Sequence, residues 1–166
     1  MRTRWIGCAA ALAVMLIFAM PASAGGKWKE ARSDEYGFSM LVPKGTVLAG
    51  KEWKDGWGGL HGNFLGVQLW GIAHLGKKHT APEIEAFGML VTGIGPKHWK
   101  KIDEGKDSNG WEWYKTWKAN KGRHVVLGAY GVGPKGSYLL VLKTTARSFK
   151  RDKAAYLKWH RNLRVF

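Results

Sequence analysis

The segment that most constrains the fold lies at the C-terminal end, in residues 137–166. It begins with the run YLLVL at residues 138–142, which is apolar at every position. A strand that is apolar on both faces is typical of the middle of a sheet with a covering layer on each side. The run therefore predicts a central strand, and the fold needs elements to cover both of its faces.

The residues after this strand predict one of the covering layers. A helix from about Ser148, as its N-cap, to Leu163 has an apolar side and a basic side. The apolar side carries Phe149, Tyr156, Trp159, His160 and Leu163, and the basic side carries Lys150, Arg151, Lys158 and Arg161. Residues 165–166 predict a short edge strand that closes the chain.

Upstream, alternation and turn residues predict further strands. Residues 36–43 alternate Phe38, Met40 and Val42 on one face and stop at a proline. Residues 64–74 carry apolar side chains on both faces. The Asn109-Gly110 pair between residues 98–105 and 111–119 is typical of a hairpin turn. On the second strand of this hairpin, alternation places Trp111, Trp113 and Trp117 on one face. Residues 123–132 and 138–145 form another hairpin around the turn at residues 133–136.

A helix is predicted between these strands. The tetrapeptide Thr80-Ala-Pro-Glu83 has the pattern of a capping box with proline in the first turn. Ile84, Phe87, Val91 and Ile94 follow at helical spacing, and Gly93, Gly95 and Pro96 end the helix.

Two stretches lack such patterns. Residues 25–33 are polar and aperiodic, so we expect a flexible leader. Residues 44–63 contain several glycines, which favours a loop with one short strand around residues 46–48. The whole order predicts an α+β fold: a single-domain α/β/α sandwich over residues 34–166, with a mostly antiparallel central sheet.

The N-terminus has the pattern of a signal peptide. Arg2 and Arg4 precede an apolar run at residues 9–20, and residues 21–24 (PASA) supply small residues for cleavage. We predict a cleaved signal peptide over residues 1–24, a periplasmic or extracellular location, and no membrane-spanning segment after cleavage. This address excludes cytosolic nucleic acid as a partner. The only cysteine, Cys8, lies inside the predicted signal, so the remaining chain needs no disulfide.

The chain that remains after residue 24 is strongly basic. It has 25 Lys and Arg residues against 12 Asp and Glu, a formal charge of +13. Such an excess favours anionic partners: an envelope polymer, lipid headgroups or an acidic protein. The alternative is that the lysines only keep the surface soluble.

No catalytic, metal or cofactor motif is present in the sequence, so we predict a non-enzymatic domain without a cofactor. A calcium loop aligned on Gly110 fails, because its first and last positions would be Gly105 and Thr116 rather than carboxylates. His74 and His79 flank a turn near Glu83 and Glu85. They leave open one alternative, a small metal-assisted hydrolase of the envelope that uses this pair and a nearby carboxylate.

The candidate binding residues lie in the glycine-rich stretch. Its indoles stand among lysines, a combination that suits stacking on sugar rings, an acidic protein partner or a membrane interface. The predicted binding residues are Lys51, Trp53, Lys54, Trp57 and His61. The alternative is that the two indoles fold back and cap the core.

Both ends of this domain resemble those of PsbP-like domains. The opening YGFSMLVP at residues 36–43 is similar to a Gly-Phe strand that runs into a proline, and YLLVLKTT at residues 138–145 with the final LRVF is similar to that family's ending. The resemblance implies an antiparallel sheet between helices and a tendency to bind other macromolecules without a shared reaction. It implies no particular functional residue, and the Trp- and Gly-rich stretch departs from the family pattern.

Overall fold

The computed structural model describes residues 28–166, so the predicted signal peptide and residues 25–27 of the predicted leader lie outside the described residues. The strands are β1 Trp28–Ser33, β2 Phe38–Pro43, β3 Leu48–Glu52, β4 Gly58–Phe64, β5 Val67–Leu75, β6 Lys100–Ser108, β7 Trp111–Lys121, β8 His124–Gly133, β9 Gly136–Thr145 and β10 Arg164–Val165. The helices are α1 Ala81–Thr92, α2 Ala146–Arg151 and α3 Lys153–Arg161. Single 3-10 turns lie at Lys54–Gly56 and Pro96–His98.

The strands form two antiparallel sheets. The larger sheet has seven strands in the order β3-β4-β5-β9-β8-β7-β6, and the smaller has the order β1-β2-β10. The predicted central strand, β9, lies between β5 and β8, and both of its faces are fully buried at Leu139, Leu140, Val141 and Leu142. The apolar run at residues 138–142 thus has the position that its composition predicts.

Each face of the large sheet has its own core. On one face the small sheet, α2 and α3 pack against a cluster that includes Leu69, Leu127, Leu140 and Trp159. On the other face α1 packs against a cluster that includes Ile72, Leu139 and Trp117. The predicted α+β sandwich with a mostly antiparallel sheet is confirmed. One covering layer combines helices with a second sheet, which the sequence did not predict.

The leader prediction is wrong for Trp28–Ser33, which forms β1. This strand pairs with β2 along its whole length, from Trp28 opposite Pro43 to Ser33 opposite Phe38. Trp28 and Ala31 pack against the core, while Lys29, Glu30 and Arg32 are not buried. The charges of a short edge strand hide the alternation on which strand prediction depends.

The loop prediction for residues 44–63 is also wrong, because most of the stretch forms β3 and β4. Two of its glycines are strand residues that lie against neighbouring backbone: a Cβ on Gly59 would overlap Gly71, and one on Gly62 would meet the Val47 carbonyl. The predicted strand at residues 64–74 begins three residues later, at Val67. Leu65 and Gly66, with φ of 48° and 78°, form the turn between β4 and β5.

Helix α1 and the β6–β7 hairpin are confirmed. The Thr80 N–H donates to Glu83 Oε2 at 2.7 Å, and Gly93 ends the helix at φ 65°. Asn109 and Gly110 turn the hairpin at φ of 53° and 81°. Trp113 and Trp117 share a face, but Trp111 packs on the opposite face. The alternation of faces predicted along β7 fails at Trp111, because several residues with positive φ distort this end of the hairpin.

The closing helix is divided into two. Thr145, rather than Ser148, is the N-cap, and its Oγ1 accepts from the Ser148 N–H at 3.0 Å. The chain leaves helical geometry at Asp152 and resumes it as α3. The predicted apolar side is confirmed by the burial of Phe149, Tyr156, Trp159 and Leu163. The final strand, β10, pairs with β2 at the edge of the small sheet.

Candidate functional site

The five predicted binding residues do not form one surface. Lys51 ends β3, Trp53 and Lys54 lie at the 3-10 turn, Trp57 precedes β4, and His61 lies within β4. Lys51 and Lys54 are exposed, Trp53 and His61 are half-buried, and Trp57 is buried.

Trp57 is a core residue, so the prediction that it offers an exposed indole is wrong. Its side chain is 4% exposed. The indole stacks on the Phe87 ring of α1 at a centroid distance of 4.2 Å and on the His79 ring at 5.2 Å. A large aromatic side chain at the end of a strand gains more from burial against a helix than from contact with water. The alternative reading, that the indole caps the core, describes Trp57.

The part of this site that remains accessible carries no excess charge. The Lys51 ammonium lies 5.2 Å from the centroid of the Trp53 ring, a cation–π contact. His61 lies opposite the half-buried Trp70 in the β4–β5 register. Between residues 51 and 55, however, two lysines are balanced by Glu52 and Asp55. This surface therefore provides no net attraction for a polyanion.

His74 and His79 lie next to each other, as the hydrolase alternative requires. His74 Nδ1 and His79 Nε2 are 2.8 Å apart and share a hydrogen bond. Burial, followed by the His79 ring and then Lys77, lowers the pKa of His74. The Glu83 carboxylate approaches His79 from the other side, with Oε2 3.6 Å from Nδ1.

This arrangement gives the hydrolase alternative no support. The two facing nitrogens are engaged with each other, and the carboxylate lies at the far nitrogen of His79. Within residues 28–166, no group of three or more His, Cys, Asp and Glu side chains converges as a metal site requires. Backbone and side-chain hydrogen bonds from Thr80 lower the pKa of Glu83, which assigns this carboxylate to the start of α1.

The excess positive charge lies elsewhere, in the last third of the chain. Residues 25–112 contain twelve basic and eleven acidic residues, whereas residues 113–166 contain 13 basic residues and a single acidic one, Asp152. Nearly the whole charge excess of the chain that follows the predicted signal thus comes from the segment that runs from β7 to the C-terminal end.

The outer face of α2 and α3 carries much of this charge. Asp152 lies between the two helices and pairs with Arg151, whose guanidinium is 2.9 Å away. The other exposed basic side chains here form no ion pair within residues 28–166: Arg147, Lys150, Lys153, Lys158 and Arg161. Lys118 of β7 extends this surface, since its ammonium lies 4.5 Å from the Phe149 ring centroid. We call these six residues the basic face.

The sequence contained the signal for this face. The total charge of the chain does not show where on the surface the charge lies. The predicted binding site was placed on the glycine-rich stretch because of its indoles. Counting acidic residues segment by segment separates residues 113–166 from the rest without a structure. For the closing helix, the sequence predicts a basic side opposite its apolar side.

Comparison with solved structures finds the solution structure of cyanobacterial PsbP (CyanoP) from Synechocystis sp. PCC 6803. The match has a TM-score of 0.55 and 13% sequence identity, and it covers 97% of this chain and 99% of that one. No protein-family model and no curated protein matches the sequence. The resemblance to PsbP-like domains is therefore confirmed for the fold, over nearly the whole of both chains.

Within residues 28–166, no helix is both long and apolar enough to cross a membrane.

Proposed function

We propose that this chain is an exported, non-catalytic binding or accessory domain that engages an anionic component of the cell envelope through the basic face. The observation that carries the proposal is the ratio of 13 basic residues to one acidic residue in residues 113–166. Uncompensated charges on one surface attract a polyanion over several ångströms and raise the rate at which it is captured.

The character of the basic face favours an extended anionic surface over a compact acidic protein. Interfaces between proteins usually centre on buried aromatic anchors, with charged residues at the rim. On α2 and α3 the aromatic side chains of Phe149, Tyr156 and Trp159 point inward and are buried. Lysines and arginines alone remain outside, and these groups interact with many phosphates or carboxylates without a fixed geometry.

The glycine-rich stretch has a secondary place in this proposal. Lys51, Trp53 and His61 retain accessible surface, and the cation–π pair of Lys51 and Trp53 can contribute a contact. Their local charge balance gives them no long-range attraction. We expect their removal to have a smaller effect than neutralisation of the basic face.

The test compares two variants of equal net charge. One changes Arg147, Lys150, Lys153 and Lys158 to Gln, and the matched control changes Lys77, Lys78, Lys106 and Lys135, which lie toward the other end of the sheet, to Gln; all eight side chains are exposed. Retention on immobilised dextran sulfate and on uncharged dextran is measured against salt. A basic residue near an anionic surface contributes about 1 kcal/mol. We therefore expect the first variant to bind at least about ten-fold more weakly, and the control to stay close to the wild type.

Two results would contradict the proposal. Equal weakening of both variants would show that only net charge matters, and unaltered retention of the first variant would remove the basic face from the interaction. A third variant, Lys51→Gln with Trp53→Ala, measures the contribution of the glycine-rich stretch in the same assay.

A further inference from the structure

Three large apolar side chains are exposed at one end of the large sheet. Among residues 28–166, six large hydrophobic residues are exposed, and the two most exposed are Val47 at 79% and Leu90 at 76%. Leu65, at 48%, is the third of this group. Val47 immediately precedes β3, Leu65 lies in the β4–β5 turn, and Leu90 lies in the last turn of α1.

Strand pairing places these three positions at the same end of the molecule. Leu48, next to Val47, pairs with Gly62, and three residues later the β4–β5 turn begins. The start of β5 pairs with the end of β9, as Gln68 lies opposite Lys143. The end of β9 pairs with the start of β8, and the start of β8 pairs in turn with the end of β7. The Lys121 ammonium there donates to the Thr92 carbonyl at 3.3 Å, which brings in the end of α1.

Leu65 occupies a backbone conformation that leucine rarely adopts. Its φ is 48°, and Gly66 follows at 78°. In a two-residue turn of this kind the first position favours Gly, which has no Cβ, or Asn and Asp, whose short polar side chains can hydrogen-bond locally; leucine has neither advantage. A leucine that is both strained and exposed at a turn lowers stability and solubility.

The same end of the molecule is basic. Five segments at this end, residues 43–49, 62–68, 88–95, 119–126 and 142–150, contain no acidic residue and six basic ones: Lys44, Lys121, Arg123, Lys143, Arg147 and Lys150. The start of β1 and the connection from α1 to β6 also lie here, and they add Lys29, Glu30, Lys97 and Lys100. The turns at the opposite end, residues 34–37, 53–57, 76–80, 107–112 and 134–135, contain five acidic and four basic residues. The charge is therefore polarised along the strands, and the exposed apolar side chains lie at the basic end.

We propose that this end docks on an anionic lipid bilayer, with Val47, Leu65 and Leu90 entering the headgroup layer. The inference rests on the proposed function and identifies the anionic component as lipid. The six basic side chains contact the headgroups while the three apolar side chains leave water. This division is the one that holds peripheral proteins at membrane interfaces. A soluble polyanion would use the lysines and leave the aliphatic side chains in water.

The basic face and the docking end overlap. Arg147 and Lys150, at the start of α2, belong to both. Of the other residues of the basic face, Lys153, Lys158 and Arg161 lie along α3, and Lys118 lies on β7. A bilayer reached by the docking end can therefore also attract the rest of the face, which gives the molecule a preferred tilt.

The test uses a pair of substitutions that spares the fold. Leu65→Asn creates the Asn-Gly turn that positive φ favours, so it is expected to keep or raise stability. Leu90→Gln keeps a good helix former on an exposed position. The control, Leu75→Gln, removes an apolar side chain that is 42% exposed at the opposite end of the sheet, where Leu75 pairs with Gly136.

Binding is measured by sedimentation with vesicles of equal parts phosphatidylglycerol and phosphatidylcholine, and with vesicles of phosphatidylcholine alone. The wild type is expected to bind only the anionic vesicles. The Leu65→Asn, Leu90→Gln variant is expected to bind them at least about ten-fold more weakly, because two apolar side chains lose their burial. The control variant is expected to remain within about two-fold of the wild type, since Leu75 lies at the opposite end of the sheet.

Dextran sulfate separates the failure of this inference from the failure of the proposed function. We expect the wild type and the double variant to be retained equally on this polymer, because it has no apolar layer. Vesicle binding that is unaltered in the double variant, or an equal loss on vesicles and polymer, overturns the lipid assignment while the proposed function stands. A wild type that is retained on neither support overturns both.

Discussion

Two tryptophans four residues apart show how far a single position decides the role of a side chain. Trp57 stacks on Phe87 and is buried, whereas Trp53 is half-buried at the margin of the same cluster and contacts the Lys51 ammonium. Both lie in the same glycine- and lysine-rich stretch of sequence. Composition alone predicts the same role for both side chains. The contact of Trp57 with Phe87 of α1 distinguishes the buried indole from the half-buried one.

This difference predicts unequal effects on stability. Trp57→Ala removes a buried aromatic side chain and leaves a cavity beside α1, so we expect the free energy of unfolding to fall by about 3–5 kcal/mol. Trp53→Ala is expected to cost less than about 1 kcal/mol, because the ring is partly solvated already. Urea unfolding of both variants measures the difference. Equal losses would show that the two indoles share one environment, contrary to the structure.

At the scale of elements, prediction succeeded where a signal is local. The capping residues Thr80 and Glu83 and the stripe from Ile84 onward depend only on neighbours in sequence, and α1 has the predicted start and end. The same is true of the Asn109-Gly110 turn. Where pairing between strands determines structure, the sequence was misleading: glycines of β4 that meet neighbouring backbone were interpreted as loop residues.

Within the candidate site the same distinction holds. The proximity of His74 and His79 followed from the short turn between them, and they do form a hydrogen bond. Whether a third ligand converges depends on the direction of Glu83, which its bonds to Thr80 fix. The net charge was visible in the sequence, but its concentration at one end of the sheet depends on strand order and so required the structure.

Helix α3 contains a titratable group that links packing to pH. The ring nitrogens of His160 are shielded from solvent, and burial lowers its pKa to about 4 from an ordinary 6.5, although the Gly128 carbonyl opposes this shift. The folded state thus holds His160 neutral, while the unfolded chain takes up a proton below pH 6.5. The contribution to stability is complete above pH 6.5 and is lost as pH falls toward 4.

The prediction concerns the pH dependence of unfolding. Between pH 7.5 and 4.5 the His160 contribution amounts to about 2–3 kcal/mol. A His160→Leu variant cannot titrate at this position. Between pH 7.5 and 4.5, we expect its free energy of unfolding to fall by about 2–3 kcal/mol less than that of the wild type. Denaturant unfolding at the two pH values gives both differences. Parallel losses in the two proteins would show that His160 is protonated in the folded state as readily as in the unfolded one.

At the scale of the whole molecule, the fold and the charge distribution give different kinds of information. The fold is that of PsbP-like domains, and at 13% identity to the cyanobacterial structure it specifies an architecture without a partner. The charge distribution is a property of this chain's own residues. The antiparallel sheet brings Lys121, Arg123 and Lys143 to one end, and α2 begins at that same end.

The central claim is that this basic end, with its exposed apolar side chains, is the surface that meets an anionic partner. NMR spectra of the protein, with and without soluble bilayer discs that contain phosphatidylglycerol, test it most directly. We expect amide signals to broaden or shift at residues 44–47, 64–66, 121–124 and 143–151, and to stay unaltered at residues 107–112 and 134–135. Perturbation confined to residues 51–61, or spread evenly over both ends of the sheet, would contradict the claim.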